Sequence, residues 1–354
     1  MTVDKGFWKS RRVLVTGHTG FKGSWLALWL AELGAEVHGF ALAPATSPSL
    51  FAAARIDRRL ASSILGDVRD VALLKRTVAR TSPEVVFHLA AQALVRAAYA
   101  DPVDAYATNV MGTVHVLEAC RDSSSVGAIV NVTTDKCYEN HEWPWGYRET
   151  DALGGRDPYA SSKACSELVT AAYAKSYFSA SKVGIATARA GNVIGGGDWA
   201  AERLVPDFFR AALKGAALEL RHPDATRPWQ HVLEPLGGYL RLAESLHADH
   251  ERYSSAWNFG PSEDDACSVG AVIEKLAGCV ASAPPRVLTQ GGPHEAGFLK
   301  LDSGKARSLL GWRPRWAVQY ALERTANWYL LWSSGADAEA LCLDDLALYQ
   351  GETA

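Results

Sequence analysis

A β-branched, apolar run, Arg11 to Thr16 (RRVLVT), leads straight into Gly17-His-Thr-Gly20-Phe-Lys-Gly23 and then into a helical apolar pattern that lasts to Leu33. Few local folds put three glycines at this spacing between a strand and a helix. Gly17 permits the tight turn, Gly20 lets the backbone come close to a phosphate, and Gly23 lets the helix lie near the strand. Free N–H groups and the dipole at the helix start favour a pyrophosphate there. The spacing therefore predicts a dinucleotide site, with Gly17, Thr19, Gly20, Phe21 and Gly23 against the cofactor. The acid that usually binds the adenosine ribose should fall near Phe40 to Ala43, but the sequence there is FALA. These residues leave NAD and NADP open. Asp67 and Val68, just after the third strand (GDV), are expected at the adenine edge, with a loop or helix cap as the other role for Asp67. Ala90, after the fourth strand, is also expected against the cofactor.

Short β-branched runs alternate with helical patterns through the first half of the chain. Strands are predicted at 11–16, 35–40, 62–66, 84–89, 127–133 and 183–189, and helices at 20–33, 70–80, 101–121 and 158–178. Near-continuous apolar strands separated by helices specify a parallel sheet covered on both faces. The fold class is thus α/β, a Rossmann-type doubly wound parallel sheet. After Ala190 glycines cluster (GNVIGGGDW), prolines appear and the apolar periods shorten. A smaller interleaved C-terminal substrate-binding lobe is expected at about 191–230 plus 261–354. Residues 1–190 plus about 231–260, with a helix at 231–248 and a strand at 256–259, form the dinucleotide-binding domain. The tail at 333–354 reads as a surface helix or as a segment packed against a neighbour.

A net charge of -3 over 354 residues gives no reason to expect nucleic acid or an anionic membrane as partner. The most apolar stretch, Trp25 to Leu33, is too short to span a bilayer and is broken by Glu32. The N-terminus shows no basic head, long apolar run and small-residue cleavage site, so a cytoplasmic location is expected. None of the six cysteines forms a Cys-x-x-Cys pair, which reads as reduced thiols. His247 and His250, beside Asp249 and Glu251, read as a solvated helix face, and no metal is expected.

Tyr159 and Lys163 stand four apart at the start of a predicted helix (DPYASSKAC), which puts both on one face. A lysine cation beside a phenol lowers its pKa, so the tyrosinate can take a proton from a sugar hydroxyl as hydride leaves the same carbon. One strand–helix unit earlier, Thr133-Thr134-Asp135-Lys136 ends a predicted strand. Ligands and chemistry collect at such C-terminal strand ends in open α/β sheets. Asp135 also has turn capping as an ordinary role.

TGHTGFKG, HLAAQALV, Tyr159-x-x-x-Lys163 and the Thr134-Asp135 pair resemble the extended short-chain dehydrogenase/reductases, in their nucleotide-sugar branch. More narrowly, TTDKCYENHEWPWGYRETDALGGRDPYASSKA, RAGNVIGGGDWAAERLVPD, RPWQHVLEPLGGYL and HEAGFLKLD are similar to the CDP-glucose 4,6-dehydratases, over nearly the whole chain. The resemblance implies tightly held NAD rather than NADP, with Tyr159 and Lys163 also against the cofactor. It implies CDP-glucose as substrate and a 4-keto-6-deoxy product, of the kind that feeds bacterial surface polysaccharides, formed without net redox. It puts Thr134, Asp135, Lys136, Tyr159 and Lys163 at the chemistry. Tyr159 takes the proton of the carbon-4 hydroxyl, and Asp135 fits the acid at the carbon-6 hydroxyl if its surroundings keep it protonated. Related dTDP-glucose dehydratases carry Glu where this sequence has Lys136. Lys136 is then either a neutral amine that removes the carbon-5 proton, its pKa lowered by desolvation and by Lys163, or a cation that polarises the ketone.

A nucleoside diphosphate needs guanidinium groups that match its phosphate oxygens, and Arg203, Arg221 and Arg227 are the candidates. The resemblance puts Arg203 and Arg227 at the nucleotide end, whereas Arg221 has a surface role as its alternative. It puts Asn192 at the diphosphate or sugar, Gln92 at the cofactor–sugar border, and Asn109 in backbone support. It also implies a homodimer or homotetramer built on the helices at 101–121 and 158–178. Two rival readings stand beside it. One is an epimerase or net reductase on the same fold. The other is a non-enzymatic dinucleotide sensor, which has no need of Tyr159 and Lys163 together.

Overall fold

The computed structural model describes residues 3–289 and 296–351. His294 and Glu295 of the HEAGFLKLD segment lie outside the described residues. Seven strands make the central sheet: β1 (Arg12–Thr16), β2 (Glu36–Ala41), β3 (Ser62–Leu65), β4 (Val85–His88), β5 (Ala128–Val132), β6 (Gly184–Ala190) and β7 (Ala256–Phe259). Their order is β7-β6-β5-β4-β1-β2-β3, and every neighbour is parallel. This is the doubly wound α/β sheet expected from the sequence. The strand order reverses between β1 and β4, where such sheets open a crevice at their C-terminal ends.

Side chains alternate across the sheet as the period of two requires. Val13, Val15, Val85, Phe87, Ala128 and Val130 pack into one layer with Trp25, Leu26 and Trp29 of α1 (Phe21–Glu32). Leu14, Val86, Ile129 and Ile185 pack into the other with Leu74 and Val78 of α2 (Val71–Thr81) and Val116 and Leu117 of α3 (Gly112–Arg121). Residues Gly23 to Leu30 of α1 are all buried, which is why its sequence is apolar on every side. Helix starts follow their caps. Asp70 accepts the Leu73 N–H at 2.9 Å before α2, and Asp157 accepts the Ala160 N–H at 2.8 Å before α4 (Pro158–Tyr173). The single helix expected at 101–121 is instead Pro102–Tyr106, a π-turn at Ala107–Met111, and α3. A second π-turn, Ala174–Phe178, follows α4. Apolar periodicity carries no signal for the extra residue of a π-turn.

Beyond β6 the strands are short pairings: Val193–Ile194 with Gln230–His231, Thr226–Arg227 with Cys267–Ser268, and Leu218–Leu220 with Arg286–Leu288. Around them lie α5 (Leu204–Lys214), α6 (Leu233–Ala248) and α7 (Val318–Ser333). The tail forms α8 (Ala338–Gln350), whose Cys342, Leu346 and Tyr349 are buried in the first core layer, so it packs on its own chain. All six cysteines are free thiols. Among the described residues no helix is long and apolar enough to cross a membrane.

The tail is anchored through Glu234 on α6. Its carboxylate accepts the Tyr349 hydroxyl at 2.8 Å and the backbone N–H groups of Arg315 and Trp316 at 3.0 and 2.7 Å. Burial outweighs these donors and pushes the carboxyl up to about 7. An unfolded Glu titrates near ~4.3, so between these values the folded chain holds a proton that the unfolded chain has lost. The contribution of Glu234 to stability should therefore fall as pH rises from ~4.3 toward neutrality, by about 3 kcal/mol, and then level off. Urea unfolding of wild type and Glu234→Gln across this range checks it: the stability of wild type relative to the variant should drop by about that amount, and a constant difference would refute it.

Candidate active site

The glycine turn is built by close approach. Gly17 has φ +77°, donates its N–H to Phe40 O at 2.8 Å, and a Cβ there would lie 2.7 Å from Ala90 N. A Cβ on Gly23 would lie 2.1 Å from Gly17 O. Both positions exclude any side chain, and the cradle they leave at the N-terminus of α1 fits a dinucleotide pyrophosphate. Thr19 Oγ1 donates to Leu42 O at 2.8 Å and fixes the turn against the end of β2. His18 turns away into the sheet side, bonded to Ser63 Oγ at 2.8 Å over Gly39, where a Cβ would lie 2.3 Å from its ring.

One cavity of about 620 Å³ begins at this turn and continues along the strand ends. Its wall includes Thr134, Asp135, Lys136, Tyr159 and Lys163, and further out Asn192, Arg203, Arg221 and Arg227. Asp67, Val68 and Ala90 line it as well. The Asp67 carboxylate is gripped by the Arg69 guanidinium, with Nε at 3.0 and 2.9 Å from its two oxygens, and it accepts the Arg69 N–H at 2.8 Å. Gln92 is not in this wall; Asn109, in the π-turn, clamps its backbone through contacts of 2.8 and 3.0 Å.

At the end of β5, Thr134 opens a 3₁₀ turn over Asp135–Cys137. Its Oγ1 accepts the Lys136 N–H at 3.3 Å and donates to Asp135 Oδ1 at 3.1 Å. Asp135 is 2% exposed, and its Oδ2 has no partner among the described residues. Burial raises its carboxyl, against the pull of Lys136, the Thr134 bond, Arg227 and Lys22. Tyr159, in the first turn of α4, is buried in the same cavity wall as Thr134. The sequence led us to expect a phenol held low by Lys163. Instead burial pushes it up to about 12, while Thr134 and Arg203 pull the other way. Lys163 donates from Nζ to Val132 O at 3.1 Å, and burial lowers its ammonium to about 8.

The arginines reach the cavity from the second half of the chain. Arg203 caps α5 and pairs with Asp198 at 2.8 Å. Arg227 is buried, donating to Thr226 O at 2.9 Å and to Ala296 O. Cations at one end, a glycine cradle at the other and a proton-transfer cluster between them make an arrangement suited to a substrate carrying phosphates and a reactive alcohol.

A family profile described as GDP-mannose 4,6 dehydratase matches residues 14–325. A curated CDP-glucose 4,6-dehydratase from Salmonella typhimurium is 47% identical over 99% of both chains. The chain belongs to the CDP-glucose 4,6-dehydratase family. Solved structures of a UDP-glucose 4-epimerase from Thermus thermophilus in complex with NAD (26% identity, 90% of this chain and 99% of that one, TM-score 0.77) and of one from Stenotrophomonas maltophila (21%, 92% and 100%, TM-score 0.80) share the fold.

Two features of this family member escaped the sequence reading. Lys22, in the first turn of α1, also lines the cavity; burial, Arg203 and Lys163 lower it to about 7, and only Asp135 opposes them. A cation at a helix N-terminus is locally unfavourable, and that conflict was the available signal. Behind the cluster, Glu167 accepts from Thr133 Oγ1, from Thr187 Oγ1 at 2.6 Å and from Arg189 at 3.0 and 2.8 Å. Arg189 also donates to Tyr138 Oη at 2.8 Å, and Tyr138 donates to Asn258 Oδ1 at 2.7 Å. Glu167 lies four residues beyond Lys163, so the helical period marks an acid on the same buried face. Both partners of the pair are 3% exposed. Glu167→Ala would leave a buried guanidinium uncompensated and should lower unfolding stability by roughly 3–5 kcal/mol in urea, with part regained on adding Arg189→Met.

Proposed function

We propose that the chain dehydrates CDP-glucose to CDP-4-keto-6-deoxyglucose with NAD retained in the site, a lyase reaction with no net redox. The observation that carries this reading is the single cavity that joins the glycine cradle to Thr134, Asp135, Lys136, Tyr159 and Lys163. Gly17, Thr19, Gly20, Phe21 and Gly23 would hold the pyrophosphate of NAD, Asp67 and Val68 its adenine end, and Ala90, Tyr159 and Lys163 its nicotinamide half. NAD bound there supplies a hydride acceptor for sugar carbon 4 and a donor for carbon 6.

The chain's own groups handle the protons. Tyr159 takes the hydroxyl proton at carbon 4, and the Thr134 hydroxyl and the Arg203 cation favour its phenolate. The ketone acidifies the carbon-5 proton, and Lys136 is the group assigned to remove it. Asp135, whose carboxyl burial has raised, gives its proton to the departing carbon-6 hydroxyl. Arg203 and Arg227, with Arg221 and Asn192, bind the diphosphate and hold the sugar between Tyr159 and Asp135. The chain acts as a homodimer or homotetramer. Exposed Val103, Met111, Leu168 and Tyr177, on the helical stretches 102–121 and 158–178, support that reading.

The pure protein with CDP-glucose should form a 4-ketosugar, and no ketone from any nucleoside diphosphate glucose would refute the reading. Asp135→Asn should slow turnover by about 10²–10⁴ while the carbon-4 oxidation persists, so that absorbance of the reduced cofactor accumulates. Lys136→Met and Lys136→Glu test the base: normal turnover in both, with the label still moving from carbon 4 to carbon 6, would remove Lys136 from that role.

A further inference from the structure

Proton bookkeeping in this reaction does not close on the groups so far assigned. Hydride leaves carbon 4 and arrives at carbon 6, so it cancels. The carbon-5 proton goes to the base and a proton returns to carbon 5, so that cancels too. What remains is one proton taken from the carbon-4 hydroxyl by the Tyr159 phenolate, and one given by the Asp135 carboxylic acid to the water that leaves. Each turnover therefore ends with a neutral phenol and a carboxylate. It must begin with a phenolate and a carboxylic acid.

We propose that the Thr134 hydroxyl carries this proton back from Tyr159 to Asp135, resetting the site without exchange with solvent. The inference rests on the dehydratase reading above. Thr134 Oγ1 donates to Asp135 Oδ1 at 3.1 Å, and Tyr159 shares the same cavity wall, where the Thr134 hydroxyl favours its phenolate. A hydroxyl has one proton to donate. Beside a carboxylate and a neutral phenol, Thr134 donates to Asp135 and accepts from Tyr159. Beside a carboxylic acid and a phenolate, it donates to Tyr159 instead. A concerted shift moves the Thr134 proton to Asp135 Oδ1 and the phenol proton to Thr134 Oγ1, so two O–H bonds form and two break.

The shift conserves charge. One negative charge is present before and after it, whereas separate exchange with solvent passes through a state with two anions or with none. Two anions in a buried cluster are costly. Asp135 and Tyr159 are 2% and 9% exposed, so a direct water route to either is restricted. Thr134 is itself held in place, because its Oγ1 also accepts the Lys136 N–H at 3.3 Å.

The test uses Thr134→Val and Thr134→Ser in the holoenzyme, with CDP-glucose as substrate and imidazole as an added proton carrier at fixed pH. Thr134→Val should lose roughly a hundredfold in kcat with KM little changed, and its rate should climb with imidazole concentration. Thr134→Ser should restore most of the kcat that Thr134→Val loses, and both it and wild type should ignore imidazole. A Thr134→Val enzyme that is slow at every imidazole concentration, or one with unimpaired kcat, would overturn the relay. If Thr134→Val fails to fold by circular dichroism, Thr134→Ala is held to the same criteria. Absence of ketone from the wild type would instead refute the reaction on which the relay rests.

Discussion

Glu167 holds the reactive cluster together. Its two oxygens are shared among Thr133 at the end of β5, Thr187 on β6 and the Arg189 guanidinium, while its own helix, α4, carries Lys163 and Tyr159 one and two turns back. A single buried carboxylate thus fixes the helix that bears the phenol against the strand that ends in Thr134. Arg189 extends the tie to Tyr138, and Tyr138 to Asn258 on β7. A buried ion pair gives little net stability relative to an apolar pair, but it leaves few alternative registers once its donors are satisfied. In a site where proton transfers depend on contacts near 3 Å, that restriction matters more than its free energy.

The cluster in front of that tie is organised by burial rather than by opposite charges. Desolvation raises the carboxyl of Asp135 and the phenol of Tyr159 and lowers the ammonium groups of Lys163 and Lys22. Each shift favours the neutral form, so the cavity holds several groups able to exchange protons without first meeting water. Lys22 is the least expected of them. It sits between two glycines where the helix dipole already disfavours a cation, and its ammonium approaches the Tyr239 ring at 5.9 Å. After Lys136 the Trp-rich segment folds back on itself. Trp143, Tyr147 and Tyr138 stack, and Tyr147 exchanges backbone hydrogen bonds with Lys300 and Asp302.

The sheet and the glycine turn were legible in the sequence because both rest on local rules: apolar strands of period two, and glycines where no Cβ fits. Tyr159 and Lys163 were legible from their helical spacing, and Thr134 to Lys136 from the strand end they follow. Other features depend on contacts that no local pattern encodes. The π-turn that brings Asn109 against Gln92 reads as plain helix, so the clamp on the Gln92 backbone has no signal in the sequence. The tail's place against Glu234 arises across more than a hundred residues of chain. The depression of the Tyr159 phenol failed as an expectation for a quantitative reason. A charge beside a group shifts it one way and loss of water shifts it the other, and spacing along a helix says nothing about the second.

The absent acid at the end of β2 has a structural counterpart. With FALA at Phe40 to Ala43, the strand end offers no carboxylate, and the neighbouring acid, Asp67, is occupied by Arg69, which in turn reaches Asp104 at 2.7 Å. This side of the cavity is thus walled by backbone and by an ion-paired carboxylate. A 2′-phosphate would meet no unengaged guanidinium at Phe40 to Ala43, since that stretch contains no arginine, and a ribose would have to rely on hydrogen bonds rather than on a charged acceptor. On the proposed reading, the cofactor would be held chiefly at the pyrophosphate cradle and the buried cluster. That is where Gly17, Gly23 and Lys163 bring backbone, helix dipole and cation to one wall.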